Sequence, residues 1–341
     1  MSNTVDLTGK GATSLVGTMV AERYLVKDQI GVGGMGTVYL AVHQTIRKRC
    51  ALKVLHPQLV DTEEIFRRFR QEAKAASRIG HENIVDVSDF GTLPSGAPYF
   101  VMEYLEGQDL RRLLEREGPM PWRRAFRLGL QIADALQAAH DAGIAHRDVK
   151  PENFFLIKRG DEDDFVKVLD FGVAKLFGDD QSVVTRTGMW VGTPEYMSPE
   201  QAEGVDLDHR VDVYGVGILL FQLITGKVPF SGPDEFDVLN QHVTKKPPRP
   251  VDVRPGMEIS PRAEAVVFKA LEKDREHRFV DMNAFAVAMR KALDASDDAP
   301  GAGVARGGAI SSSGNKSRTA IVVAVVALLV VGVVVAAVLA M

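Results

Sequence analysis

Between Tyr24 and Leu55 apolar and polar residues alternate with the two-residue period of a half-buried strand, placing Val38, Leu40 and Val42 on one side. The stretches 97–105 and 165–169 read the same way. From Pro121 onward the period lengthens. Phe126, Leu130, Ala133 and Leu136 recur at helical spacing across Trp122–His140, and Gly143 follows as a stop. An earlier helix is predicted after Thr62, a residue able to cap it, with Glu63 and Glu64 in its first turn. Its inward stripe reads Ile65, Phe69, Glu72, Ala76, Ile79. A strand-rich first part and a helical second part predict an α+β fold of two lobes, small and β-rich then large and helical, with a cleft between them.

The pattern also divides the chain. Residues 1–22 read as a flexible leader, 23–294 as the folded domain and 295–319, rich in Gly, Ser and Ala, as a disordered juxtamembrane linker. Ala320–Met341 is apolar without interruption. As a helix it would run ~33 Å at ~1.5 Å per residue, enough to cross a hydrocarbon core of ~30 Å. It is therefore predicted to be a transmembrane helix. Lys316 and Arg318 precede it and favour a cytoplasmic N-terminal side, so the expected location is the inner cell membrane, single-pass, with the folded domain in the cytoplasm. A net charge of −4 with no strongly basic stretch argues against nucleic acid as a partner. The single cysteine, Cys50, allows no internal disulfide and fits a reducing compartment.

Three clusters carry candidate chemistry. Gly31-Val32-Gly33-Gly34-Met35-Gly36 would let backbone N–H groups approach phosphate without an intervening side chain. A dinucleotide-binding turn needs a helix straight after such glycines, whereas Thr37–Val42 alternates as a strand, which predicts a β-hairpin lid over ATP. Lys53 lies inside the apolar run Ala51–Leu55, where an ammonium is costly to bury unless paired. Glu72, a carboxylate on an otherwise apolar helix stripe, is a candidate partner. The alternative is a solvent-facing edge lysine, with Glu72 at the margin of its stripe beside the arginines of the polar face. The third cluster is His146-Arg147-Asp148-Val149-Lys150-Pro151-Glu152-Asn153, followed 17 residues after Asn153 by Asp170-Phe171-Gly172, with Ser198-Pro199-Glu200 beyond.

Taken in this order the motifs resemble those of the eukaryotic-type protein kinases, in particular the membrane-anchored bacterial serine/threonine kinases, over residues 24 to about 290. The resemblance implies the bilobal protein-kinase fold and transfer of the ATP γ-phosphate to Ser or Thr hydroxyls of protein substrates. It implies that Asp148 orients and deprotonates the substrate hydroxyl, that Lys150 sits near the γ-phosphate, and that Lys53, steadied by Glu72, holds the α- and β-phosphates. Asn153 and Asp170 would hold Mg2+, or Mn2+ in its place. Ile30, Gly31, Val32, Gly33, Gly34, Met35 and Gly36 would form the lid over the phosphates. Val38 and Ala51 would cover adenine from above and Phe155 from below, with Met102 gating the back pocket and the backbone of Glu103 and Leu105 bonding the adenine edge. Asp212 would brace the backbone at His146 and Arg147, and Arg278 would pair with Glu200. Ala76 stands where a larger apolar residue is common in the family.

Regulation follows from the same resemblance. Thr185 and Thr187 stand where such kinases autophosphorylate, and a phosphate there would pair with Arg147 and order the segment, with a transient homodimer serving trans-autophosphorylation. Thr193 matches a threonine that contacts Asp148 and Lys150. Asp161–Asp164 is expected to be an exposed hairpin tip. Two other functions compete: a pseudokinase scaffold, opposed by the presence of Lys53, Asp148, Asn153 and Asp170, and a small-molecule kinase, opposed by the length of the segment from Asp170 to Glu200.

Overall fold

The computed structural model describes residues 14–60, 62–170 and 193–295. Among these, the first half forms a six-stranded antiparallel sheet in the order β1-β2-β3-β4-β6-β5. Its strands are β1 (Met19–Val20), β2 (Tyr24–Val32), β3 (Gly36–His43), β4 (Arg49–Leu55), β5 (Val87–Thr92) and β6 (Pro98–Glu103), and helix α1 (Glu63–Ile79) is inserted between β4 and β5. The leader expected to extend to residue 22 ends earlier. β1 pairs with β2 through Met19↔Leu25 and Val20↔Tyr24, and Leu15 packs on the core beneath. Val20 is apolar and buried, which is reason enough for the chain to order before Tyr24.

The alternation in β3 is real, but its two faces serve in the opposite sense to a simple core stripe. Tyr39 and Ala41 are buried, packing with Val26, Cys50, Leu52, Val54, Tyr99 and Val101 in one apolar layer. Val38, Leu40 and Val42 are half-buried on the other face. The register Val38↔Lys53↔Phe100 and Leu40↔Ala51↔Met102 puts those residues on the side that meets the helical half. Aliphatic residues alternate on both faces of such a strand, so the period gives the strand without choosing its core side.

α1 has the predicted inward stripe. Phe69 and Ala76 are buried, Ile65 and Ile79 half-buried, and Glu72 lies among them with 8% exposure. Thr62 occupies the N-cap, though its side chain makes no capping bond. Gly80, left-handed at φ 60°, closes the helix.

The second half opens with β7 (Gly107–Asp109), α2 (Leu110–Glu117) and α3 (Trp122–Asp141), then the hairpin of β8 (Phe154–Arg159) and β9 (Glu162–Val168), which joins β7 in a small sheet. The remaining helices are α4 (Pro199–Glu203), α5 (Arg210–Thr225), α6 (Glu235–Thr244), α7 (Pro250–Val253), α8 (Pro261–Ala270) and α9 (Met282–Asp294). α5 is the axis of this lobe. Fourteen of its 16 residues are buried, all but Arg210 and Gln222, as befits a helix apolar on every side. α3, α8 and α9 pack around it through Leu128, Ile132, Val267, Phe285 and Met289. The acidic hairpin tip is less free than expected: Asp164 receives both Nε and Nη2 of Arg124 on α3 at 2.7 and 2.8 Å. Among the described residues no helix is long and apolar enough to cross a membrane; the predicted span at 320–341 lies outside them, as do the linker, Thr185 and Thr187.

Candidate active site

The loop after α3 carries the densest polar network. Asp212, fully buried on the first turn of α5, accepts the backbone N–H of His146 at 2.8 Å on Oδ2 and that of Arg147 at 2.7 Å on Oδ1. His140 Nε2, at the end of α3, lies 2.7 Å from the same Oδ2. Burial alone would raise the Asp212 carboxyl, but these donors hold it below the usual carboxylate range. The network fixes Arg147 at φ 61°, a left-handed conformation that costs a non-glycine residue on the order of 1 kcal/mol. The loop lies so close to α5 that a Cβ on Gly215 would meet Val149 Cβ at 2.8 Å. From the other side Gln201 Nε2 donates to the Arg147 carbonyl at 3.2 Å. Gln201 is itself fixed by a capping box with Ser198 at the start of α4.

This scaffold presents Asp148. Lys150 Nζ stands 2.7 Å from its Oδ2, and Asn153 Nδ2 donates to its backbone carbonyl at 2.7 Å and to Oδ2 at 3.2 Å. Asn153 in turn accepts Leu169 N–H on its backbone carbonyl at 2.9 Å, so the residue next along, Asp170, is tied to the Asn153 turn by one backbone bond just beyond the end of the β8–β9 pairing. Thr193 lines the small cavity that also touches Arg147 and Asp148.

Across the cleft Lys53 Nζ lies 2.7 Å from Glu72 Oε1 and 2.7 Å from Asp170 Oδ1. The predicted pair is therefore formed, and the edge-lysine alternative is excluded. Burial works against charge on Lys53, but Asp170 and Glu72 together hold its ammonium above the ordinary value. Burial also raises the Glu72 carboxyl, and the Asp170 charge adds to that, with Lys53 opposing both. Asp170 is the more open of the two acids, its side chain half exposed, which suits a cation ligand.

The glycine loop joins β2 to β3. A Cβ on Gly36 would sit 2.4 Å from the Val54 carbonyl oxygen, so that glycine is required by the sheet. Gly31, Gly33 and Gly34 are different: a Cβ there meets nothing nearer than 3.8 Å, and none has positive φ. Neither packing nor backbone conformation requires glycine at these three positions, which fits a polyphosphate approaching the backbone from outside. His56 Nε2, 2.9 Å from the Gly33 carbonyl, tethers the loop to the end of β4. Ile30 and Val32 are exposed on its flanks, while Ala51 is buried and Val38, Met35, Met102 and Phe155 are half-buried around the cleft. Ala51 and Met102 are direct cross-strand partners, as a wall and its gate would be.

The protein kinase domain family matches residues 24–288. The chain belongs to that family. Among curated relatives, the kinase domain is 46% identical over 277 residues to serine/threonine-protein kinase pkn3 of Myxococcus xanthus, covering 81% of this chain and 51% of that protein. It is 39% identical over 263 residues to serine/threonine-protein kinase PknB of Mycobacterium leprae, covering 76% of this chain and 41% of that one. The chain thus spans about half, or less, of the length of these relatives. The PknI kinase domain of Mycobacterium tuberculosis is similar in structure, with a TM-score of 0.62 and 29% identity over 82% of this chain and all of that one.

Two members of the kinase site were not foreseen from sequence. Lys167 Nζ, on β9, donates to Glu103 Oε1 at 2.6 Å, and the same oxygen accepts Asp86 N–H at 3.0 Å. The strand that leads to Asp170 is thereby tied to the interlobe connector that begins at Glu103. Its signal was present: a lone lysine in the apolar run Phe165–Leu169, the same anomaly that singles out Lys53. His140 gave no signal of its own, because its partner lies 72 residues away.

Proposed function

We propose that this chain is an active serine/threonine protein kinase transferring the ATP γ-phosphate to protein hydroxyls. The observation that carries the reading is the convergence of Lys53, Glu72 and Asp170 in one ion-paired cluster facing the Asp148–Lys150–Asn153 loop. Asp148 accepts the hydroxyl proton and aligns the oxygen, while Lys150, 2.7 Å away, offsets negative charge on the transferring group. Lys53 holds the phosphates already bound to the glycine-loop amides. Asn153 and Asp170 are the residues that would hold Mg2+, whose charge neutralises the phosphate oxygens. A lysine two residues after Asp148 supports Ser/Thr over Tyr acceptors, and complete retention of Lys53, Asp148, Asn153 and Asp170 speaks against a pseudokinase.

The finer reading is that Thr185 or Thr187 autophosphorylates in a transient homodimer and that the apolar run 320–341 anchors the domain to the inner membrane, cytoplasmic side. The run's length, its lack of charge and the flanking Lys316 and Arg318 support the anchor. Incubation of the purified chain with labelled ATP and Mg2+ should give phosphothreonine on the chain and on a general protein acceptor. Asp148→Asn and Lys53→Met should each lower transfer by at least about a hundredfold. Activity surviving both substitutions would refute the assignment. Phosphopeptide maps lacking Thr185 and Thr187 would refute the regulatory part alone.

A further inference from the structure

His56, the residue after β4, grips the tip of the β2–β3 hairpin twice. Its backbone N–H donates to the Met35 carbonyl at 2.9 Å, and its ring Nε2 lies 2.9 Å from the Gly33 carbonyl. A carbonyl can only accept, so Nε2 carries the proton in this contact. The Gly33 N–H is engaged by the Gly36 carbonyl, also at 2.9 Å. Among the described residues nothing takes the N–H of Gly34 or of Met35. Two adjacent donors are therefore left open at the turn, and Gly34 is exposed.

The direction of the grip decides where the Gly34 donor faces. His56 is still extended, at φ −60° and ψ 135°, so the two-residue alternation of β4 runs on through it. Leu52 and Val54 pack in the apolar layer with Tyr39 and Ala41, whereas Lys53 meets Glu72 and Asp170 on the cleft side and Leu55 packs with Phe69 and Phe100. By the same count His56 leaves the strand on the Leu52 side, opposite Lys53. The Gly33–Gly34 peptide is trans, so its C=O and N–H point in opposite directions. Drawing the carbonyl toward His56 turns the Gly34 N–H toward the Lys53 side. Without that bond the two consecutive glycines would leave this peptide plane free to rotate.

We infer that His56 is a positioning residue for the nucleotide phosphates: through the Gly33 carbonyl it preorients the Gly34 N–H as a donor to a phosphate oxygen. The inference rests on the kinase reading of the cleft. Its test is calorimetric titration of the full chain, in excess Mg2+, with ADP and with adenosine, which lacks the phosphates. Wild type is expected to bind both, and binding of neither would overturn the kinase reading along with this one. His56→Phe keeps a ring and removes the donor. It should weaken ADP about three- to tenfold while adenosine affinity and Tm stay unchanged. His56→Gln, whose side-chain amide offers an N–H at similar reach, should recover most of the ADP affinity. The backbone bond to Met35 survives in both variants, so a difference between them belongs to the side-chain donor. In steady-state kinetics His56→Phe should raise KM for ATP by the same factor and leave KM for the protein acceptor unchanged. Unaltered ADP affinity in His56→Phe, an equal loss for adenosine, or no recovery in His56→Gln would overturn this inference and leave the kinase reading standing.

Discussion

Asp212 shows how much one side chain can determine. Its two oxygens serve three donors from two segments of chain, and those bonds help hold the left-handed Arg147 backbone against relaxation. Asp212→Asn keeps the shape but turns one acceptor into a donor, so a loop N–H loses its partner at a cost of about 1–3 kcal/mol. We expect kcat to drop about tenfold or more while KM for ATP changes little, a split visible in steady-state kinetics. His242 makes a different prediction. Burial, with the Lys273 ammonium beside it, lowers its imidazole from 6.5 to about 3, and the Tyr214 hydroxyl lies 2.9 Å from Nδ1. The unfolded chain takes up this proton below pH ~6.5 and the native one does not, so the fold loses stability as pH falls from ~6.5 toward 3, by up to about 1.4 kcal/mol per pH unit. His242→Asn should flatten that acid limb in thermal melts. An equally steep limb in the variant would assign the acid sensitivity to other groups.

Among the elements, the β8–β9 hairpin does most to organise the site, because β9 delivers Asp170 and anchors Glu103 through Lys167. Lys167→Met should raise KM for ATP severalfold with a smaller loss in kcat, since it frees the connector and leaves the Asp148 loop intact. Lys167→Met/Glu103→Gln should show less than the sum of the single effects. At this scale the sequence was informative wherever an element declared itself locally. The α1 stripe with its misplaced Glu72, the strand after the glycines and the helix ending at Gly143 all follow from period and composition. Lys53–Glu72, Asp212 and Arg278–Glu200 were reachable through the ordered motifs. What stayed hidden was pairing across space without local anomaly: His140 on Asp212, Gln201 on the Arg147 carbonyl, and the choice of Tyr39 and Ala41 over Val38 and Leu40 as the core face of β3. Both faces of β3 carry apolar side chains because one meets the sheet core and the other the cleft, and no periodicity separates those two demands.

For the whole molecule, the helical lobe supplies the rigid frame. Arg278, at 4% exposure, makes two bonds of 2.7 Å to Glu200 and tethers the α4 region to the segment before α9. Removing one partner leaves a buried charge, so Arg278→Ala should cost about 3–5 kcal/mol and lower Tm by on the order of 10 °C. Restoring part of that loss with Arg278→Met/Glu200→Gln would identify the isolated charge as its cause. The salt bridge from Lys53 to Asp170 has a consequence of another kind. Lys53 belongs to the six-stranded sheet, whereas Asp170 follows directly on Leu169, whose N–H is held by the Asn153 carbonyl just past the β8–β9 hairpin. When the halves part, the ammonium must leave while the carboxylate and the amide travel together. A spectroscopic ruler from β4 to β9 would therefore report jaw movement, and one from Asn153 to Asp170 would stay still throughout the same cycle.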